Sequence, residues 1–325
     1  NIDVWFATNR KFVSGLPTND LSESLLFGTS VVSIPKTHKF GSMGSSWFVR
    51  WLQRLFNGAD DSLKILNCEI LEKNEFVASI GGKINDQIRN SLLEMDGCIL
   101  LYIHGYNTDF NEGLIRAAQI GFDLKVPGAV AAFCWASRGG IEFYGSDCDT
   151  IRLSEDHLAE FIAVLHESYP DKTINVLAHS MGNRALAGVL ENLTRYPQLL
   201  SVKFGQIFLA APDLDVRYFK RISTLYQSHS KRTTLYVCSK DAALYLATVL
   251  HDNHRVGYSP PITVVDGVDT IEASSVCMDV VGHGYYAEAQ AVLYDMAVLI
   301  RKDISPKERV RLAPMSSEDG RLYWT

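Results

Sequence analysis

Between Ile174 and Leu190 the chain passes from strand to helix with almost nothing in between. Ile174 to Ala178 is a mostly apolar run, His179-Ser180-Met181-Gly182 follows without a turn cluster, and Ala185, Leu186, Val189 and Leu190 then recur at helical spacing. A serine at so tight a turn ends its strand with the hydroxyl exposed, in a strained backbone that admits only small residues two positions away on either side. Ala178 and Gly182 are those residues, giving the pattern A-x-S-x-G. The following helix directs its unpaired N–H groups and partial positive charge at the serine, so an anion forming there is stabilised. A serine that merely caps a helix needs no small neighbours on both sides. Ser180 therefore reads as a nucleophile, provided that a base and an acid accompany it.

The rest of the chain supplies the surroundings such a turn needs. With 325 residues, 47% hydrophobic and 21% charged, a large core is within reach, and one domain spanning residues 1–325 is expected. The net charge of −6 and the lack of a basic block argue against nucleic acid as a partner. Cysteines at 68, 98, 134, 148, 238 and 277 contain no C-x-x-C pair, and those at 98, 134 and 238 sit in apolar runs. They read as reduced packing residues, with no zinc site or disulfide frame. No stretch is long and apolar enough to span a bilayer, and Asn1-Ile2-Asp3 has no signal-peptide character. Cysteine usage points to the cytoplasm, while the missing initiator methionine leaves room for a removed leader or upstream domain.

Val4 to Thr8 and Thr29 to Ile34 read as strands at one edge of a sheet. Within an insertion at 41–61, Trp47 to Phe56 carries bulky apolar residues at helical spacing opposite Arg50, Gln53 and Arg54. The spacing predicts an amphipathic helix, packed on its own domain or serving as a lid, membrane contact or protein contact. Leu63 to Leu71 reads as a strand and Ile84 to Met95 as a helix. Cys98 to Ile103 and Val130 to Trp135 read as strands buried on both faces, separated by a helix over 111–124. Ile141 to Thr150 has no clear period, and Ser154 to Ser168 is helical. Beyond Ser180, strands are expected at 204–211 and 233–238, short edge strands at 262–265 and 270–273, and helices at 242–250 and 287–300. A polar tail closes the chain at 305–325. The strict alternation implies an α/β fold with a mostly parallel sheet, helices on both faces, and ligands bound beyond the carboxyl ends of the strands.

A serine nucleophile needs a base to take its proton and an acid to fix the tautomer of that base. His283, flanked by glycines after the last strand, is the favoured base over His251 and His254, which lie in a polar stretch. His179 adjoins Ser180, which turns its ring away from the hydroxyl and toward local packing or hydrogen bonding. For the acid, Asp241 ends the 233–238 strand, while Asp213 and Asp215 end the preceding one. Asp241 is favoured because the acid usually lies two strands beyond the nucleophile strand, but chain order alone does not decide. Two N–H donors must face the developing oxyanion. Met181 supplies one, and Tyr106, in the loop His104-Gly105-Tyr106-Asn107, supplies the other. His104, Gly105, Arg138, Tyr144 and Tyr285 complete the expected substrate-binding set, with Tyr106, Arg138, Tyr144 and Tyr285 on loops that rim the cleft and His104 bonding within its loop.

The motifs His104-Gly105-Tyr106-Asn107, Phe133 to Gly139 (FCWASRG), Leu177 to Arg184 (LAHSMGNR), Leu209 to Asp213 (LAAPD), Leu235 to Leu244 (LYVCSKDAAL) and Gly282 to Tyr286 (GHGYY) together resemble a largely bacterial, esterase- or lipase-like branch of the α/β-hydrolases first grouped as a domain of unknown function. The resemblance extends from the Val4 to Arg10 run and Phe27-Gly28-Thr29 through His283. It implies an α/β-hydrolase fold with Ser180 as nucleophile, Asp241 as acid and His283 as base. Gly284 stands where a serine is commoner, and the Trp47–Phe56 helix looks peculiar to this chain. The resulting expectation is a serine hydrolase cleaving carboxylic esters, lipid-like ones included, through an acyl-enzyme and without metal or organic cofactor. An amidase, thioesterase or peptidase would use the same triad. A non-catalytic scaffold binding a protein partner through Trp47–Phe56 belongs to a different class altogether.

Overall fold

A computed structural model describes residues 1–42, 62–90, 97–276 and 283–325. The expected helix at 47–56, the end of the expected 84–95 helix, Cys277 and Gly282 lie outside these residues. The fold is built on an eleven-stranded sheet of order β10-β11-β9-β8-β7-β6-β4-β5-β1-β2-β3. Its centre is formed by β4 (Cys98–Ile103), β5 (Gly128–Phe133), β6 (Thr173–His179), β7 (Phe204–Ala210) and β8 (Ser230–Val237), joined in parallel pairs. Every residue of β4 and β5 is buried, as continuous apolar strands covered on both faces must be.

The side-chain period of two divides each strand between two cores. Ile99, Leu101 and Ile103 of β4 meet Phe76, Ile80 and Ile84 of α1 (Lys73–Asn90), Leu158 and Ile162 of α4 (Glu155–Ser168), and Ala185, Leu186 and Val189 of α5 (Gly182–Glu191) in one buried layer. Leu100 and Tyr102 point the other way, toward Leu114 and Ala118 of α2 (Phe110–Asp123) and Leu293 and Met296 of α9 (Gln290–Arg301). Cys98, Cys134 and Cys238 are buried free thiols.

At one side, β1 (Ile2–Val13) and β2 (Leu16–Ser33) form a hairpin much longer than the expected runs at 4–8 and 29–34, and β3 (Lys64–Leu71) closes the edge. Only Val4–Ala7 of β1 pair with β5, so the rest of the hairpin projects past the carboxyl ends of the parallel strands. There Arg10 Nη2 donates to Thr108 O at 3.1 Å and Asn19 Nδ2 to Arg138 O at 3.1 Å, tying the hairpin to the loops after β4 and β5.

Several expectations are corrected. The 141–150 stretch contains most of α3 (Tyr144–Leu153), and α6 (Val216–His229), absent from the expected elements, buries Phe219, Ile222 and Tyr226 at helical spacing. Residues 262–265 form no strand, whereas β9 (Val268–Glu272) does. Extended backbone at Ala289 breaks the expected 287–300 helix into α8 (Tyr285–Glu288) and α9. The polar tail is not merely a tail: β10 (Pro314–Ser316) and β11 (Leu322–Trp324) form a hairpin, and Trp324 pairs with Ile271 of β9. Strands of three residues are too short to show a period, and only the open edge of β9 selects them. No helix among the described residues is long and apolar enough to cross a membrane.

Candidate active site

Four neighbouring strands deliver the candidate residues to one edge of the sheet. Ser180 follows β6 with φ +50°, in the left-handed region that costs a non-glycine residue about 1–3 kcal/mol. Backbone bonds hold it there. Its N–H donates to Ala210 O at 2.9 Å, and its carbonyl accepts from Asn183 N at 3.1 Å and Asp213 N at 3.2 Å. Asn183, absent from the expected site, is fully buried and donates Nδ2–H to both Ala178 O and Ser180 O at 3.0 Å. One side chain thus closes the turn from inside. The clue was its place one residue past the A-x-S-x-G pattern.

The small residues have measurable reasons. A Cβ on Gly182 would lie 2.6 Å from His104 O and 2.8 Å from Ile103 O, so the end of β4 packs directly on the turn. A Cβ on Gly105 would lie 2.7 Å from His179 Nδ1 and 2.8 Å from Ser180 Cβ. The loop after β4 therefore lies against Ser180, beside the N-terminus of α5. Among the described residues the Met181 N–H has no acceptor.

His283 Nδ1–H donates to Asp241 Oδ2 at 2.7 Å, and the Asp241 side chain is fully buried. Asp241 Oδ1 accepts from Leu244 N at 2.9 Å, capping α7 (Ala242–His251). A carboxylate only accepts, so this bond places the proton on Nδ1 and leaves Nε2 to act as a base. Ser180 Oγ is not hydrogen-bonded to any described residue; such bonds often tighten only around substrate.

The competing acids are engaged elsewhere. Asp213 is buried, with Arg184 Nη2 at 2.9 Å from Oδ2, Arg255 Nε at 3.4 Å from Oδ1, and the Tyr144 hydroxyl donating at 2.8 Å. Asp215 caps α6, accepting from Arg217 N and Tyr218 N, and pairs with the exposed Arg217 side chain. The competing bases are likewise occupied: His251 Nε2 bonds the Tyr144 hydroxyl at 3.1 Å, and His254 Nε2 bonds Tyr258 O at 3.0 Å and Pro261 O at 2.9 Å.

Of the expected substrate-binding residues, Gly105 and Tyr106 lie on the loop beside Ser180, and the Tyr106 ring meets Tyr144 edge-on with centroids 5.2 Å apart. Arg138 is exposed, its guanidinium 5.4 Å from the Phe143 ring centre. Tyr285 is placed differently from the expected cleft rim, whereas His104 bonds within its own loop. Tyr285 is 1% exposed, and its hydroxyl donates to Tyr236 O at 2.8 Å because α8 turns it into the second core. The His104 side chain is buried under its own loop: Nδ1–H donates to Gly105 O at 2.8 Å, and the ring stacks on Trp135 at 5.2 Å. Neither side chain is placed to meet substrate. No group of three His, Cys, Asp or Glu side chains among the described residues could hold a metal ion. A cavity of about 750 Å³ lies between the β9 edge, α9 and the C-terminal segment, lined by Phe40, Ile271, Val292 and Leu312 among others; Ser180, Asp241 and His283 do not line it.

Burial pushes the His104 imidazole down to about 3. An unfolded histidine takes up its proton near the ordinary 6.5, so the native state is favoured fully above that pH and loses stability as pH falls toward 3. His104→Phe keeps a ring against Trp135 and removes the titration. Urea unfolding at a series of pH values is expected to show the wild type losing about 1.4 kcal/mol per pH unit more than the variant across that window. Parallel curves would contradict the buried neutral imidazole.

A parallel sheet with a left-handed serine between strand and helix, and a carboxylate–imidazole pair at the same edge, defines an α/β-hydrolase. Residues 81–302, more than half of the chain, match a family described as alpha/beta hydrolase of unknown function (DUF900), and the chain belongs to that family. Among solved structures, an uncharacterised protein from Capnocytophaga ochracea DSM 7271 is similar at 14% identity and a TM-score of 0.38, over 67% of this chain and 60% of that one. The matched region thus spans 60% of that protein's length. No curated protein matches the sequence.

Proposed function

We propose that this hydrolase cleaves carboxylic esters through a covalent acyl-enzyme on Ser180. The observation that carries the reading is the 2.7 Å bond from His283 Nδ1 to the buried Asp241, at the strand edge where Ser180 is held at positive φ. Ser180 Oγ attacks the ester carbonyl carbon while His283 Nε2 takes the hydroxyl proton, and Asp241 stabilises the resulting imidazolium. The carbonyl oxygen becomes an oxyanion facing the Met181 and Tyr106 N–H groups. Collapse breaks the bond to the alcohol, which leaves with the proton from His283. Water, deprotonated by the same imidazole, then releases the acid and restores the serine. The proton is returned at each half-reaction, so the cycle balances with substrate and water alone.

Esters with long acyl chains suit the surroundings. Helix α7 is pinned to the site at both ends, through Asp241 at its cap and through His251, which bonds Tyr144. Between them Tyr245, Leu246, Val249 and Leu250 are each more than half exposed, and Ala242 to Leu250 contains no charged residue. An apolar face of this kind beside a nucleophile favours lipid-like substrates over highly charged ones.

A fluorophosphonate probe is expected to label wild-type protein at Ser180 and to leave Ser180→Ala unlabelled, with intact mass and peptide mapping as the readout. Turnover of p-nitrophenyl esters of increasing chain length is expected to favour the longer acyl groups. Folded wild-type protein that takes no label and turns over no ester would overturn the reading.

A further inference from the structure

His179 is the residue beside the nucleophile that the mechanism above does not use. Its ring is buried and stacks on Tyr286, with centroids 4.0 Å apart and planes at 22°, and Tyr286 is itself bonded through its hydroxyl to Tyr102 of β4 at 2.8 Å. The opposing Gly105 approaches so closely that a Cβ there would collide with His179 Nδ1. The Nε2 atom reaches the main-chain carbonyl of His283 at 3.2 Å, and the two imidazole centroids are 4.7 Å apart. A carbonyl only accepts, so Nε2 carries the proton.

His283 immediately precedes Gly284, the N-cap of the four-residue helix α8. The bond from Nδ1 to Asp241 holds the ring at one atom. The bond from His179 Nε2 holds the main chain of the same residue, the backbone from which that ring extends. Resting on the esterase reading, we propose that His179 is a positioning residue: its Nε2–H grips the carbonyl of His283 and ties the base to the strand that carries Ser180. Burial, reinforced by nearby His283 and Arg116, keeps the His179 imidazole neutral well below the usual histidine range. That neutrality suits the role, because a second cation against His283 would oppose the imidazolium formed during turnover.

His179→Phe keeps an aromatic ring against Tyr286 and removes the donor, whereas His179→Gln retains an N–H near the Nε2 position. In full-length protein, the phenylalanine variant is expected to lose about a hundredfold in kcat with KM little changed, since misplacing a catalytic group by about 1 Å costs that much. The fluorophosphonate labelling rate is expected to fall in parallel, and the glutamine variant to recover most of both. His179→Met serves as the donor-free variant should the phenylalanine variant fail to fold. An independent readout needs no turnover: carbethoxylation of His283 by diethyl pyrocarbonate, mapped by mass spectrometry, is expected to speed up in the donor-free variant and stay at the wild-type rate in His179→Gln. Unchanged kcat, or a glutamine variant as slow as the donor-free one, overturns the positioning role while leaving the esterase reading intact. A wild type without label or turnover overturns the esterase reading, and the carbethoxylation rates then decide whether His179 holds His283. Equal rates in all variants overturn the clamp.

Discussion

Replacing Asp241 with asparagine is expected to lower kcat by about 10,000-fold while leaving the Tm close to that of the wild type. The carboxylate accepts the Nδ1 proton of His283 at 2.7 Å and so leaves Nε2 bare, the state in which the proposed mechanism has it take the serine proton. An amide in the same place presents an N–H as readily as an oxygen. It favours the tautomer with Nδ1 bare and Nε2 protonated, which cannot act as a base toward Ser180. Asparagine caps a helix about as well as aspartate, so the bond from Leu244 N at the start of α7 has a replacement. Steady-state kinetics on a short p-nitrophenyl ester, beside a thermal melt of the same preparation, separates the two effects. A variant with undiminished kcat would remove Asp241 from the mechanism.

Asp213→Ala acts on the other carboxylate and on a different property. The expected loss is about 3–5 kcal/mol of folding stability, read by urea denaturation. Asp213 is buried between Arg184 and Arg255, and its removal leaves Arg184 Nη2 and the Tyr144 hydroxyl without their shared acceptor, Oδ2, and Arg255 without its neighbouring carboxylate. A buried charge stripped of its partner keeps its desolvation cost and loses the attraction that offset it. The contrast with Asp215 is instructive, because its partner Arg217 is largely exposed and water screens that pair. A loss below about 1 kcal/mol for Asp213→Ala would place the cluster among solvent-screened pairs.

The two carboxylates show where sequence reasoning stops. Both end parallel strands, both lie after Ser180 in the chain, and both precede a helix. Asp241 was favoured by its strand position, and the fold adds what separates them: arginines from α5 and from the 252–258 loop converge on Asp213, and His283 converges on Asp241. Those meetings join residues far apart in the chain, and local pattern carries no record of them. Tyr285 illustrates the opposite error. Its place next to a glycine and a histidine suggested a cleft rim, but the short helix α8 turns the ring inward to bond Tyr236 O. His179, expected to pack or hydrogen-bond locally, packs on Tyr286 and bonds the main chain of His283, both far from it in the chain.

Local chemistry was enough for the tight turn at Ser180, because its strain, its small neighbours Ala178 and Gly182 and the flanking periodicities all lie within a few residues of one another. It was also enough for the continuous apolar strands β4 and β5, whose burial on both faces follows from composition alone. Tertiary packing alone decided which acid meets which base, how far the β1–β2 hairpin extends, and that the C-terminal residues join the sheet at β9. These outcomes depend on desolvation and on contacts between segments that become neighbours only when the sheet assembles, so no single stretch of chain encodes them by itself.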